Sequence, residues 1–239
     1  MDLFDKFSAE FSKNFITNNV YTLSQIKAKL ENGSMKISAI NDDYFIQEGD
    51  FLNYFIRENK SFNLAKNKIK IFYNNNIDEK NLEFLKLNNF SFNEKYLHMS
   101  ICGANGVKYN EIETNKNDIE AIYSFLEKHF NGLIYFSKNE IKEKLIKNEI
   151  IYTKNDKNIA GILVYSKILS GAFIDYIAID KQIAQKDLAY KLMLELALRQ
   201  KNISLFVSEN NEKAINFYKR FGFKKGVKNM NIYTNKEAK

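Results

Sequence analysis

The chain has 239 residues and a formal charge of +7, from 36 Lys and Arg against 29 Asp and Glu; this length accommodates one large or two small domains, each with its own core. One Cys and two His exclude an intramolecular disulfide and a thiolate cluster, so no metal site is expected. Lys is spread along the whole chain with no basic arm, so nucleic acid is not an expected partner. No run approaches the roughly 20 apolar residues that span a bilayer, and MDLFDKFSAEF at the start shows no leader pattern; a soluble, cytoplasmic protein with no membrane partner is expected.

In chain order, SQIKAKLENGSMKISAINDDYFI (Ser24 to Ile46) reads as a helix, a strand, an Asn41-Asp42 turn and a second strand. FLNYFI (Phe51 to Ile56) is a further strand, and KIKIFYNNNIDEKNLEFLKLNNF (Lys68 to Phe90) reads strand, helix, closing strand. Residues Cys102 to Tyr109, with Gly103 and Gly106, form the expected junction between two halves. DIEAIYSFLEKHF (Asp118 to Phe130) has helical spacing, and His129 at its end suits a cation at a helix C-terminus.

The second half then repeats the first. NEIKEKLIKNEIIYTKNDKNIAG (Asn139 to Gly161) matches Ser24 to Ile46, FIDYIA (Phe173 to Ala178) matches FLNYFI, and NISLFVSENNEKAINFYKRFGF (Asn202 to Phe223) matches Lys68 to Phe90. One insertion breaks the match: DKQIAQKDLAYKLMLELALRQKN (Asp180 to Asn202), with Leu188, Leu192 and Leu196 in a helical stripe, has only ENKSFNLAKN opposite it. The halves read as two copies of one fold, divided as residues 1–103 and 104–239.

Strand alternation over Phe173 to Ile179 puts Asp175, Ile177 and Ile179 on one face and Tyr176 and Ala178 on the other. A carboxylate in so apolar a strand serves chemistry or pairs with a lysine. Ala214, Phe217, Tyr218 and Phe221 share one helical face, and Gly222 is placed to stop that helix.

These residues resemble the GNAT superfamily of acyl-CoA-dependent N-acyltransferases. Asn211, Ala214, Phe217, Tyr218, Gly222 and Phe223 match its N-x-x-A-x-x-F-Y-x-x-x-G-F motif after a strand. The phosphate-loop pattern Q/R-x-x-G-x-G/A is matched poorly: Ala184 stands at the Q/R position, Asp187 at the first glycine, and only Ala189 fits. The resemblance implies an α/β (α+β) fold of two GNAT-like mixed-sheet halves, the C-terminal one complete and the N-terminal one truncated. It also implies acetyl-CoA as co-substrate, direct transfer without a covalent enzyme intermediate, and a small-molecule or peptide amine as acceptor, with a homodimer admitted.

By the same resemblance Tyr218 is the proton donor to the departing thiolate, unless it is only a core residue, and Asp175 is the base. Coenzyme contacts fall on Ile177, Ala178 and Ile179, on the loop and helix start at Ala184, Gln185, Lys186, Asp187, Leu188 and Ala189, and on Asn211, Ala214 and Phe217. The backbone of Ile177 to Ile179 would meet the pantetheine arm as an added strand. Asp187 is expected either to oppose a phosphate or to cap the helix through the N–H of Ala189 or Tyr190. The first half carries Asn53 opposite Asp175 and Leu85 opposite Tyr218, with no loop or helix to match. A coenzyme-binding or interaction module without turnover is the alternative reading.

Overall fold

The computed structural model describes residues 2–64, 69–75, 77–108, 118–130, 136–169, 171–184 and 186–235. The chain runs α1 (Leu3–Glu10), β1 (Ile16–Thr17), α2 (Leu23–Glu31), β2 (Lys36–Ile40), β3 (Asp43–Glu48), β4 (Phe51–Ile56), β5 (Lys70–Asn74), α3 (Glu79–Leu87) and β6 (Phe90–Ile101). It continues through α4 (Ile119–Phe130), α5 (Lys138–Ile146), β7 (Ile150–Asn155), β8 (Asn158–Ile168), β9 (Gly171–Ile179), α6 (Leu188–Arg199), β10 (Ile203–Ser208), α7 (Glu212–Phe221) and β11 (Lys224–Asn235). Two compact units result: unit 1 is residues 1–95 with 229–239, and unit 2 is residues 96–228.

This division differs from the expected junction at 103/104 for a physical reason. The Ala104 N–H donates to Lys201 O at 2.8 Å, and a side chain on Gly106 would fall 1.8 Å from the Leu198 backbone nitrogen. Within the expected junction, Ala104 and Gly106 are therefore packed against the end of α6 inside unit 2, and Tyr109 lies outside the described residues. Both β6 and β11 contribute a segment to each unit.

In unit 1 the strand order is β2-β3-β4-β5-β11-β6, with β1 on the edge of β4 that β5 leaves free. Phe7, Ile26, Tyr44, Ile46 and Phe55 bury one cluster with α1 and α2, and Tyr54, Ile71, Tyr73, Phe84 and Leu85 bury another with α3. Each helix begins where a side chain satisfies its free N–H groups, Asp2 for α1, the Thr22/Gln25 capping box for α2 and Asp78 for α3.

In unit 2 the order is β7-β8-β9-β10-β6-β11. Helices α6 and α7 cover a cluster that includes Leu163, Ile174, Leu192, Leu196, Leu205, Tyr218 and Phe223. Helices α4 and α5 cover one that includes Ile122, Leu126, Ile141, Leu145, Tyr152, Ile162, Val164 and Tyr176. Leu163 and its neighbours Ile162 and Val164 fall in different clusters, as the period of two requires of a strand buried on both faces.

Candidate active site

β9 and β10 are parallel neighbours only where Ala172, Phe173 and Ile174 face Ile203, Ser204 and Leu205. β9 runs on to Ile179 and β10 to Ser208, so the strands part at their carboxyl ends, where parallel sheets receive ligands. Their divergence coincides with a bulge. Against β8, Val164 faces Tyr176 but Tyr165 faces Ile174, leaving Asp175 as the extra residue.

The bulge corrects the expected alternation. Ile177 and Ile179 pack on the α6/α7 cluster and Tyr176 and Ala178 on the α4/α5 cluster, as expected. Asp175 does not follow Ile177: its Oδ2 accepts from Lys144 Nζ on α5 at 3.1 Å and from Ser166 Oγ at 2.8 Å. Two successive side chains, Asp175 and Tyr176, thus reach the same face, because a bulged residue adds one step without a partner.

Lys144 is the functional-looking residue that sequence reading missed. It is buried, donates to Tyr165 O at 2.8 Å and Ser166 Oγ at 2.7 Å, pairs with Glu149 at 3.4 Å, and lies 4.5 Å from the Phe136 ring centroid. The signal was present in IKEKL: Ile141, Lys144 and Leu145 stand at i, i+3 and i+4, which places the lysine on the buried stripe.

The segment after β9 is pinned at its start. Asp180 N–H donates to Ala160 O and Ala184 N–H to Asp180 O, both at 2.9 Å. The Asp180 carboxylate accepts from Lys128 Nζ at 2.9 Å and the Gln182 N–H at 3.0 Å, and first the Lys128 ammonium, then that N–H, hold its carboxyl below the usual carboxylate range. Ala184 is half-buried, Lys186 exposed, Leu188 buried and Ala189 half-buried, while Gln185 lies outside the described residues.

Asp187 occupies the N-cap position of α6 but makes no side-chain cap bond, which corrects one of the two expectations for it. Its φ of 62° and ψ of 17° put it in the left-handed region, the conformation a glycine adopts at no steric cost. From there its carboxylate is not used on the Ala189 or Tyr190 N–H, and the first turn of α6 keeps donors for something else. Gly161 lets this turn approach: a Cβ there would lie 2.7 Å from Ile179 Cδ1 and 2.9 Å from Leu188 Cδ2.

α7 starts at the end of β10. Asn211 caps it, its Oδ1 accepting the Ala214 N–H at 3.0 Å, so that oxygen is committed to the helix and only the amide nitrogen is spare. At the other end Phe223 N–H donates to Tyr218 O at 2.9 Å and Gly222 takes φ 109°, the glycine stop that the sequence predicts. Ala214 and Phe217 are half-buried. Tyr218 is buried against the rings of Phe217 and Phe223, with centroids 5.3 and 5.5 Å away. Burial alone pushes its phenol pKa up, and its hydroxyl has no hydrogen-bond partner among the described residues.

The structure thus brings Ile177 to Ile179, the start of α6 and the start of α7 to the carboxyl ends of two diverging strands, while Asp175 turns to α5. Burial, and secondarily Lys128, push the pKa of His129 down at the end of α4. Among the described residues no group of three His, Cys, Asp or Glu side chains is placed to hold a metal.

Residues 119–223, all inside unit 2, match the model of the Acetyltransferase (GNAT) family. That segment is similar to the GNAT acetyltransferase family. Solved structures share the fold at low identity. A GNAT-family protein from Novosphingobium aromaticivorans DSM 12444 aligns at TM-score 0.54 and 12% identity over 73% of this chain and 78% of that one. A GCN5-related N-acetyltransferase from Sphaerobacter thermophilus aligns at 0.53 and 12% over 82% and 77%, and one from Kribbella flavida at 0.53 and 7% over 89% and 94%. No curated protein matches the chain. In the matched segment the bulged strand is β9, and the helices that begin beside the opening are α6 and α7.

Proposed function

We propose that unit 2 is an acyl-CoA-dependent N-acetyltransferase that uses acetyl-CoA as co-substrate and a primary amine as acceptor. The observation that carries this is the parting of β9 from β10 beyond Ile174 and Leu205, with two helix N-termini beside it. The free edge of Ile177, Ala178 and Ile179 offers main-chain groups to an extended amide-bearing arm. The N–H groups at the start of α6, with exposed Lys186 beside them, suit a pyrophosphate; the Asp187 carboxylate opposes it. The Tyr218 hydroxyl, without a hydrogen-bond partner among the described residues, is free to meet a ligand atom.

In the proposed reaction the neutral amine nitrogen bonds to the thioester carbonyl carbon and the carbon–sulfur bond breaks. Tyr218 gives its proton to the departing sulfur, and Asp175 accepts, through water, the proton that the ammonium must shed. A buried phenol stays protonated at neutral pH, which a proton donor requires. Calorimetric titration of the full chain with coenzyme A, and transfer of radiolabelled acetyl groups to a panel of amines, test the reading: one equivalent bound and a labelled amine are expected. Absence of coenzyme binding would refute it.

The Lys144 pair favours a second reading, a coenzyme-binding module without turnover. Asp175 Oδ2 already accepts from an ammonium and a hydroxyl, so its carboxylate would then only lock the bulge. Binding without transfer to any amine would select this reading.

The first half, in this proposal, is a degenerate copy of the same fold, corresponding to residues 1–103 against 104–239. Several features support it. Both α2 and α5 open with a capping box, and the matched lysines Lys29 and Lys144 both reach acidic side chains under a strand. Each half has an antiparallel three-strand meander followed by a parallel neighbour. The likeness to the Kribbella flavida structure extends over 89% of this chain, more than unit 2 alone.

A further inference from the structure

In unit 1, β4 and β5 are, among the described residues, parallel neighbours at Phe51 and Lys70 alone, and then part as β9 and β10 do. The edge of β4 that this exposes is occupied. β1 lies antiparallel along it, Ile16 opposite Ile56 and Thr17 opposite Phe55. Asn18 follows, 6% exposed: its Oδ1 accepts the Tyr54 N–H at 2.9 Å and its Nδ2 donates to Leu52 O at 3.0 Å. An asparagine amide carries one acceptor and a donor pair, and can therefore stand in for a peptide unit of a neighbouring strand. Side by side, residues 16–18 supply what a paired strand would.

The volume behind the edge is filled as well. β4 pairs with β3 without interruption from Phe51 to Phe55, whereas β9 bulges at Asp175. Lacking the extra residue, β4 turns Tyr54 toward α3, where it stacks on Phe84 with centroids 3.8 Å apart. Its hydroxyl meets those of Tyr73 on β5 and the side-chain carbonyl of Asn81 in the first turn of α3. Tyr176, the matching residue of β9, goes to the opposite cluster. One residue of register decides whether a tyrosine fills the gap between the parting strands or leaves it.

We infer that Ile16–Asn18 is a built-in occupant of the β4 edge, a strand-like segment of the chain seated where the matching edge of β9 is left for an extended ligand, so that unit 1 takes no coenzyme. The exclusion of coenzyme rests on the reading of unit 2 given above; the seating of Ile16–Asn18 does not.

Amide-resolved hydrogen exchange on the full chain, with and without coenzyme A, tests both parts. The Tyr54 amide should be protected in the wild type. Asn18→Ala should speed its exchange by about tenfold or more, and Ile16→Ala, which loosens the anchor on the α3 cluster, should speed it less, with Ile46 on the other side of β4 unchanged in both. Coenzyme A should slow exchange at Ile177 to Ile179 and leave Leu52 to Ile56 as they were. A freely exchanging Tyr54 in the wild type, an equal rise at Ile46, or coenzyme-dependent protection at Leu52 to Ile56 would overturn the inference. Should coenzyme A alter exchange nowhere, the reading of unit 2 fails, and the Tyr54 comparison still decides the seating.

Discussion

Lys144 Nζ lies 3.1 Å from Asp175 Oδ2, with the two side chains 9% and 5% exposed, and this pair ties α5 to the bulge of β9. Removing one partner of such a pair leaves a buried charge without compensation, so Lys144→Met should cost about 3–5 kcal/mol of stability. Lys144→Met combined with Asp175→Leu should recover part of it, because the Asp175 charge is then gone while Glu149, 3.4 Å from Lys144 Nζ, still lacks its ammonium. Urea unfolding of the three proteins measures this. A double variant as unstable as the single one would rule out the pair as the source.

Tyr218→Phe removes a hydroxyl that has no hydrogen-bond partner among the described residues. Stability should change by about 0.5 kcal/mol or less, since no internal hydrogen bond is lost. Turnover should nevertheless fall by roughly 10²-fold, with the coenzyme dissociation constant little changed. A large fall in stability with normal turnover would return this tyrosine to a packing role.

At Asp187 the backbone and the charge both argue for glycine. Asp187→Gly relieves a side chain held at φ 62° without a cap bond, and should stabilise the chain by about 0.5–1 kcal/mol. Loss of the carboxylate beside the first turn of α6 should also tighten coenzyme A binding. Thermal unfolding and calorimetry report the two effects separately, and weaker binding by the glycine variant would count against a phosphate at this turn.

Alkaline pH should weaken the fold. Burial raises the phenol pKa of Tyr54, Tyr73 and Tyr218 above the ordinary value of 10.0. For a group whose folded pKa is raised, the contribution to stability is whole below the unfolded pKa and is lost as pH climbs toward the folded one. Stability should therefore hold up to about pH 10 and then fall by about 1.4 kcal/mol per pH unit for each tyrosine. Denaturant midpoints at pH 8, 10 and 11 check the sign; a rise above pH 10 would contradict it.

Local signals were legible in the sequence, and non-local ones were not. The stripe of Ala214, Phe217, Tyr218 and Phe221 and the stop at Gly222 follow from spacing and chirality, and α7 ends there with Gly222 at φ 109°. The order of elements within each stretch was legible too. The turn of Asp175 toward α5 was hidden because a bulge is a relation between β8 and β9, and no residue of FIDYIA marks which position lacks a partner. Residue type alone lets Asp187 either oppose a phosphate or cap the helix, whereas its backbone angle decides that it does not cap. The seating of Asn18 on β4 joins residues 34 and 36 apart in the chain, and nothing in ITNN announces an edge to fill.

β6 and β11 each lend a segment to both units, and this sets a timetable for synthesis. Residues 229–235, which lie between β5 and β6 in unit 1, are translated after all of unit 2. A ribosome that has made residues 1–95 has therefore released a nascent unit with β5 still short of a neighbour, and an unpaired strand is an invitation to wrong partners. The usual order, in which an early domain closes before a later one emerges, is denied to this chain: its first unit waits for its last strand.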